Sequence, residues 1–130
     1  MNSPKGRILC TDDHADTRQL IIAILMAEGF DVLCTDNAQE TLKLAKSNKF
    51  DLYLLDNWLP DIPGPKLTAE IRQFDQKTPI LFYSGAGYET DKESARSAGA
   101  QGYLVKPVDN EMLIAEVTRL ISDSKTTCAA

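Results

Sequence analysis

Residues with chemical handles close four short apolar runs of this 130-residue chain. Asp12 and Asp13 follow Arg7–Thr11 (RILCT), and Asp56 follows Asp51–Leu55 (DLYLL). Ser84 follows Pro79–Tyr83 (PILFY), and Lys106-Pro107 follows Gln101–Val105 (QGYLV). If the runs are strands, carboxylates at the ends of neighbours lie about 5 Å apart, close enough to share one cation. Mg²⁺ takes a few carboxylate oxygens and completes its octahedron with waters and phosphate oxygens. Without a cation, three clustered negative charges repel one another. A lysine and a hydroxyl opposite a metal-bound carboxylate make a pocket for a small tetrahedral anion. The ammonium neutralises phosphoryl oxygens and the hydroxyl donates to them. A carboxylate can itself be the nucleophile, giving an acyl phosphate.

The runs alternate with amphipathic segments that must position them. Asp16–Glu28 reads as a helix with Leu20, Ile21, Ile24 and Leu25 on one face and Gly29 as its stop. Phe30–Thr35 reads as a strand, and Ala38–Ser47 as a helix with Leu42 and Ala45 at helical spacing. Pro65–Phe74 is a short helix with Pro65 at its first position. Thr90–Ala98 is a polar, marginal one. The last helix starts at Asp109, a good N-cap, and buries Leu113, Val117, Leu120 and Ile121. The tail from Ser122 to Ala130 is polar and small, and is expected to fray. Strands alternating with helices predict a parallel α/β sheet covered on both faces, with right-handed crossovers. Continuous apolarity in LYLL and PILF agrees, because such strands are buried on both sides. Ligands of an open sheet of this kind bind beyond the carboxyl ends of its strands, which is where the handles fall.

Composition narrows the function classes. Hydrophobic residues make up 43% and charged residues 25%, ordinary for a soluble globular chain, and the length fits a single domain. The formal net charge of −5 disfavours DNA or RNA as the direct ligand. No stretch is apolar enough to span a membrane, and no leader pattern is visible, so a cytoplasmic protein is expected. Cys10, Cys34 and Cys128 are odd in number and widely spaced, with neither metal nor disulfide spacing, in keeping with a reducing compartment. Cys10 and Cys34 read as small buried apolar residues.

From about Arg7 to Ile121 the chain resembles a response-regulator receiver domain, the phosphoacceptor module of two-component signalling. The resemblance rests on Cys10-Thr11-Asp12-Asp13, on Leu54-Leu55-Asp56-Asn57-Trp58-Leu59-Pro60, on Ser84, and on Gly99 through Pro107 (GAQGYLVKP), in that order and each at a strand end. It implies a flavodoxin-like (βα)5 doubly wound parallel sheet with strand order 2-1-3-4-5. It also implies one domain over 1–130, with its core at about 6–122 and a polar tail over 123–130. Asp56 would accept the phosphoryl group from a histidine kinase or phosphotransfer protein. Asp12, Asp13, Asp56 and the backbone carbonyl of Trp58 would hold Mg²⁺, for which Mn²⁺ could substitute. Ser84 and Lys106 would contact the phosphoryl oxygens. Tyr103 would turn inward when Ser84 moves toward the phosphate, and the Lys106-Pro107 bond is often cis in the family. Self-catalysed phosphoryl transfer with slow autodephosphorylation follows, without turnover of an external substrate. Output would pass to a protein partner through the face of the fourth helix, fifth strand and fifth helix, with neither nucleic acid nor membrane contacted directly.

Some residues depart from the family pattern or have a plainer role. Pro63-Gly64 replaces the usual Asp or Asn before Gly, leaving Gly64 to supply a positive φ. Gly85 and Gly87 flank Ala86 in a stretch expected to be mobile. Asp13 alone could be a helix cap, Ser84 a turn residue and Tyr103 plain core. His14, the single histidine, reads as solvated. Trp58, two positions after the nucleophile, is expected to shield an acyl phosphate from water.

Rival functions fit less well. A flavin site needs a hydroxyl-rich loop after the first strand, and here that loop is Thr11-Asp12-Asp13, which repels an anion. An aspartate-nucleophile phosphatase wants a second Asp two residues later, where this chain has Trp58. A phosphorylation-independent receiver-like interaction module ranks below the working switch, because every site residue is present. A stand-alone receiver, a relay intermediate and a receiver cut from a longer chain all remain open.

Overall fold

A computed structural model describes residues 5–129, with side chains through residue 125. The strands are β1 (Arg7–Thr11), β2 (Asp31–Thr35), β3 (Leu52–Leu55), β4 (Ile80–Ser84) and β5 (Gly102–Val105). The helices are α1 (Ala15–Ala27), α2 (Ala38–Ser47), α3 (Gly64–Arg72), α4 (Glu89–Ala98) and α5 (Asn110–Ala129). All strand pairs are parallel and the order is β2-β1-β3-β4-β5, the expected doubly wound flavodoxin-like arrangement.

Side chains of a strand alternate between faces, and the central strands feed two separate cores. Ile8, Cys10, Leu52, Leu54, Leu81 and Tyr83 pack on one face with Ile21 and Leu25 of α1 and Leu113 and Val117 of α5. Leu9, Tyr53, Leu55, Ile80 and Phe82 pack on the other with α2, α3 and Ala95 of α4. All of these side chains are buried, which explains why the sequence shows apolar runs rather than alternation. At roughly 25 cal/mol per Å² of buried apolar surface, such cores are the main stabilising contribution.

The structure departs from expectation at several points. Leu20 is half exposed, whereas Ile21 and Leu25 are buried. One residue is about 100° around the helix, so Leu20 turns away from the sheet that Ile21 and Leu25 face. Gly64 starts α3 without a positive φ, and among the described residues only Gly29 and Gly99 have one. Pro65 is accordingly the second residue of that helix. α5 continues as helical backbone to Ala129, because no Gly or Pro after Ile121 stops it. The Cys128 side chain lies outside the described residues. Cys10 is buried, but Cys34 is only partly so, because its strand is at the sheet edge. The two cysteines are register partners across β1 and β2, which sets their thiols beside each other. The neighbouring Cys34 thiol, then burial, raises the Cys10 thiol well above its ordinary range, and the Cys10 thiol lowers that of Cys34.

Gly29 and Gly99 end α1 and α4 in the left-handed region, where a side chain would be strained. Asp109 caps α5, accepting from the Met112 amide at 2.8 Å. Arg72 of α3 donates to the Gly99 carbonyl from Nε and Nη2 and to Gln101 Oε1, tying α3 to the end of α4.

Candidate functional site

Each strand delivers its last residue to the same rim of the sheet. The Asp56 amide donates to the Thr11 carbonyl at 3.0 Å, and the Lys106 amide to the Ser84 carbonyl at 2.8 Å. These ladder bonds hold the β1–α1 loop beside the end of β3, and Lys106 beside Ser84. Asp12, Asp56 and Ser84 are buried, while Asp13 is exposed. One carboxylate oxygen from each of Asp12, Asp13 and Asp56 and a ring nitrogen of His14 all lie within 4.8 Å of one another.

Lys106 reaches across from β5. Its Nζ is 2.7 Å from Asp12 Oδ2 and 3.4 Å from Asp56 Oδ2, and lies 5.4 Å from the Tyr83 ring centroid. Burial works against the ammonium, but the Asp12 hydrogen bond and the charges of Asp56 and Asp12 outweigh it and raise its pKa. The Lys106-Pro107 bond is cis.

The remaining lone pairs of the acids are organised by backbone. Asp12 Oδ1 accepts from the His14 amide at 2.9 Å, and Asp56 Oδ1 accepts from the Trp58 amide at 3.3 Å. α1 has no side-chain N-cap, so Asp13 is not held there as a cap and its carboxylate is available at the rim. His14 is more than a solvated loop residue. Its Nδ1 is 3.1 Å from Asp13 Oδ1 and 3.5 Å from Asp12 Oδ1, although the side chain is 72% exposed. Three carboxylates thus meet one fixed positive charge, that of Lys106, among the described groups touching them. The excess of negative charge, presented by hard oxygen donors, suits a small divalent cation. The donor set therefore fits Mg²⁺.

Ser84 is fully buried, and its Oγ accepts from the Ala86 amide at 3.2 Å. Tyr103 is half-buried and stacks on Phe82, with centroids 5.4 Å apart and planes within 4°. Its hydroxyl points into the site, donating to the Ala86 carbonyl and accepting from Asn57 Nδ2 at 3.1 Å. Burial raises its pKa, against the opposing hydrogen bond from Asn57. Ala86 is therefore anchored through both backbone groups, in the middle of the stretch where mobility was expected. Trp58 is 63% exposed, and the space beside Gly85 opens onto its ring, 3.4 Å from where a Cβ would stand.

Sequence reasoning missed three contributors. Asn57 passed as part of a motif, yet its amide reaches β5. Asp61, in the loop after Asp56, accepts from the Ala38 and Gln39 amides at 2.9 and 2.8 Å and so ties this loop to α2. Burial opposes its ionisation, but these amides and those of Asp61 and Ile62 win and lower its pKa. Thr11, Thr35 and Thr41 share buried hydroxyl bonds beneath the acidic pair. Only Asn57, a second polar residue after Asp56 within an otherwise apolar stretch, left a trace in the sequence.

A family model described as the response regulator receiver domain matches residues 8–118. The cell cycle transcriptional regulator CtrA of Caulobacter vibrioides is 34% identical over 119 residues, covering 92% of this chain and 52% of that protein. The chain thus spans about half the length of the curated relatives it matches. A receiver domain protein from Methanospirillum hungatei superposes with a TM-score of 0.91 at 25% identity, covering 97% of this chain and 99% of that one. The receiver domain of the Pseudomonas aeruginosa sensor histidine kinase PA1611, solved with magnesium in its active-site cleft, has a TM-score of 0.84 at 27% identity, with 90% and 98% covered.

Proposed function

The chain belongs to the response-regulator receiver family, and on that premise we propose that Asp56 is its phosphoacceptor. Receiver domains accept phosphoryl groups from histidine kinases in two-component signalling. The observation that carries the residue assignment is the meeting of Asp12, Asp13 and Asp56 with Lys106 at one rim of the sheet.

Asp56 attacks the phosphorus of a phosphohistidine, a P–O bond forms, the P–N bond breaks, and the imidazole leaves with a proton. Lys106, now bridging Asp12 and Asp56, swings onto a phosphoryl oxygen as charge builds there. Ser84 donates its hydroxyl to another. Asp12, Asp13, Asp56 and the Trp58 carbonyl would hold Mg²⁺, which would neutralise charge on the transferring group. Mn²⁺ could substitute, since carboxylate, carbonyl and water oxygens suit it as they suit Mg²⁺. Hydrolysis by water returns the free Asp56 carboxylate, so the chemistry is self-catalysed and slow, with no external substrate turned over. A phosphorylation-independent module is disfavoured because no residue of the proposed set has been lost.

The output surface is the α4–β5–α5 face. α4 buries only Ala95, and Lys92 and Arg96 border a cavity of about 200 Å³ with Tyr103. Lys92 and Arg96 are paired with Glu89 and Glu93 of the same helix, so this face offers mixed charge to a protein partner rather than a basic surface to nucleic acid. Among the described residues no helix is long and apolar enough to cross a membrane, and we assign the domain to the cytoplasm, where its phosphodonors work.

Incubation with acetyl phosphate and Mg²⁺ should retard the wild-type protein on a Phos-tag gel. Asp56→Asn, or EDTA, should abolish the shift. A shift that persists in Asp56→Asn would place the phosphoryl group elsewhere.

A further inference from the structure

Asn57, directly after Asp56, is a buried polar residue whose side chain spends its amide on a strand 46 residues away. Its Nδ2 lies 3.1 Å from the Tyr103 hydroxyl, which in turn bonds the Ala86 carbonyl. Donor arithmetic sets the direction. The phenol has one proton and the carbonyl can only accept, so that proton goes to Ala86. The phenol oxygen must then accept from Asn57, which orients the amide with its nitrogen toward Tyr103. A donor chain therefore runs from the peptide after Asp56, through Tyr103, to the centre of the β4–α4 loop. Ser84 joins the same hub, its Oγ accepting from the Ala86 amide at 3.2 Å.

We propose that Asn57 is a positioning residue of the switch: it holds Tyr103 inward and so couples the state of Asp56 to the β4–α4 loop. This rests on Asp56 being the phosphoacceptor. The coupling is physical because Asn57 shares a peptide bond with Asp56, and the Asn57 carbonyl also accepts from the Gly64 amide at 2.9 Å. A shift of Asp56 moves a residue whose backbone carbonyl is pinned to α3 and whose side-chain amide is pinned to Tyr103. An apolar residue of similar size at position 57 would keep the packing but remove the donor. The ring would then be held inward only by its stack on Phe82 and its bond to Ala86.

The test is a double-mutant cycle with Asn57→Leu and Tyr103→Phe. It is read by hydrogen exchange of residues 85–88 and by the beryllofluoride concentration that half-saturates the Mg²⁺-loaded protein. Asn57→Leu is expected to speed exchange of the loop about five-fold, the worth of one neutral hydrogen bond, and to raise the half-saturating beryllofluoride. In the Tyr103→Phe background, which lacks the phenol, the same substitution should change neither readout further. Unchanged exchange in Asn57→Leu overturns the proposal. So does an equal effect in both backgrounds, which would mean that Asn57 acts on the loop without Tyr103. If the wild type binds no beryllofluoride and takes no phosphate, the phosphoacceptor reading falls instead, and the exchange arm still decides whether the Asn57–Tyr103 bond holds the loop.

Discussion

A Cβ placed on Gly64 would stand 2.5 Å from the carbonyl oxygen of Asp56. It would also meet Phe82 at 2.6 Å and the Asn57 Cα at 2.9 Å. The first residue of α3 thus packs directly on the peptide of Asp56, the proposed phosphoacceptor, and glycine is required for closeness rather than for a left-handed turn. Gly64→Ala should therefore destabilise the fold by about 1–3 kcal/mol, as overpacking does. It should also displace Asp56 and slow its phosphorylation. Urea unfolding and the acetyl phosphate assay measure the two effects, and a variant as stable as wild type would refute the close-contact argument.

Trp58 gives a direct optical readout of the site. Its amide bonds Asp56 and its indole is exposed beside Gly85. Emission from this single tryptophan should change with millimolar Mg²⁺ and again on adding beryllofluoride. A flat titration would remove the metal assignment.

The same indole follows Asp56 by two residues and stands beside Gly85, 3.4 Å from where a Cβ there would be. Trp58→Ala should shorten the phosphorylated lifetime without preventing phosphorylation. An unchanged decay of the Phos-tag band would show that the ring does not screen the mark.

Asp75 makes stability depend on pH. Burial alone would raise its pKa, but the Thr78 hydroxyl, the Thr78 and Lys77 amides and the Tyr53 hydroxyl bind the carboxylate and lower it. A carboxyl lowered on folding stabilises the protein above its unfolded pKa, about 3.9, and loses that contribution as pH falls through the folded value. Asp75→Asn should be less stable than wild type at pH 7, with the gap closing below about pH 4. Thermal unfolding across pH 3–7 measures it, and a constant gap would exclude Asp75 as the cause.

α4 is the helix most able to respond to the site. Only Ala95 of it is buried, and its first turn follows the loop anchored at Ala86. Hydrogen exchange in Glu89–Ala98 should slow on phosphorylation. Exchange that does not change would argue against output through this face.

Much of this molecule could be read from one dimension. Apolar runs alternating with amphipathic segments determined a parallel doubly wound sheet, because strands without polar alternation must be covered on both faces. Once the sheet is parallel, the ends of all its strands share a rim, so Asp12, Asp13, Asp56, Ser84 and Lys106 had to meet there. What only the tertiary structure decided is how they meet. Lys106 bridges Asp12 and Asp56 rather than facing solvent, His14 leans onto the acidic pair, and Asn57 reaches Tyr103. Gly64 answers to a neighbour's carbonyl, Cys34 is left half open at an edge, and Leu20 turns outward. Apart from His14, which leans on its own chain neighbours, each is a contact between separate elements or a matter of which side of an element a residue faces. Periodicity carries the pattern of burial, but it holds no record of distance between side chains that approach only after the layers have packed.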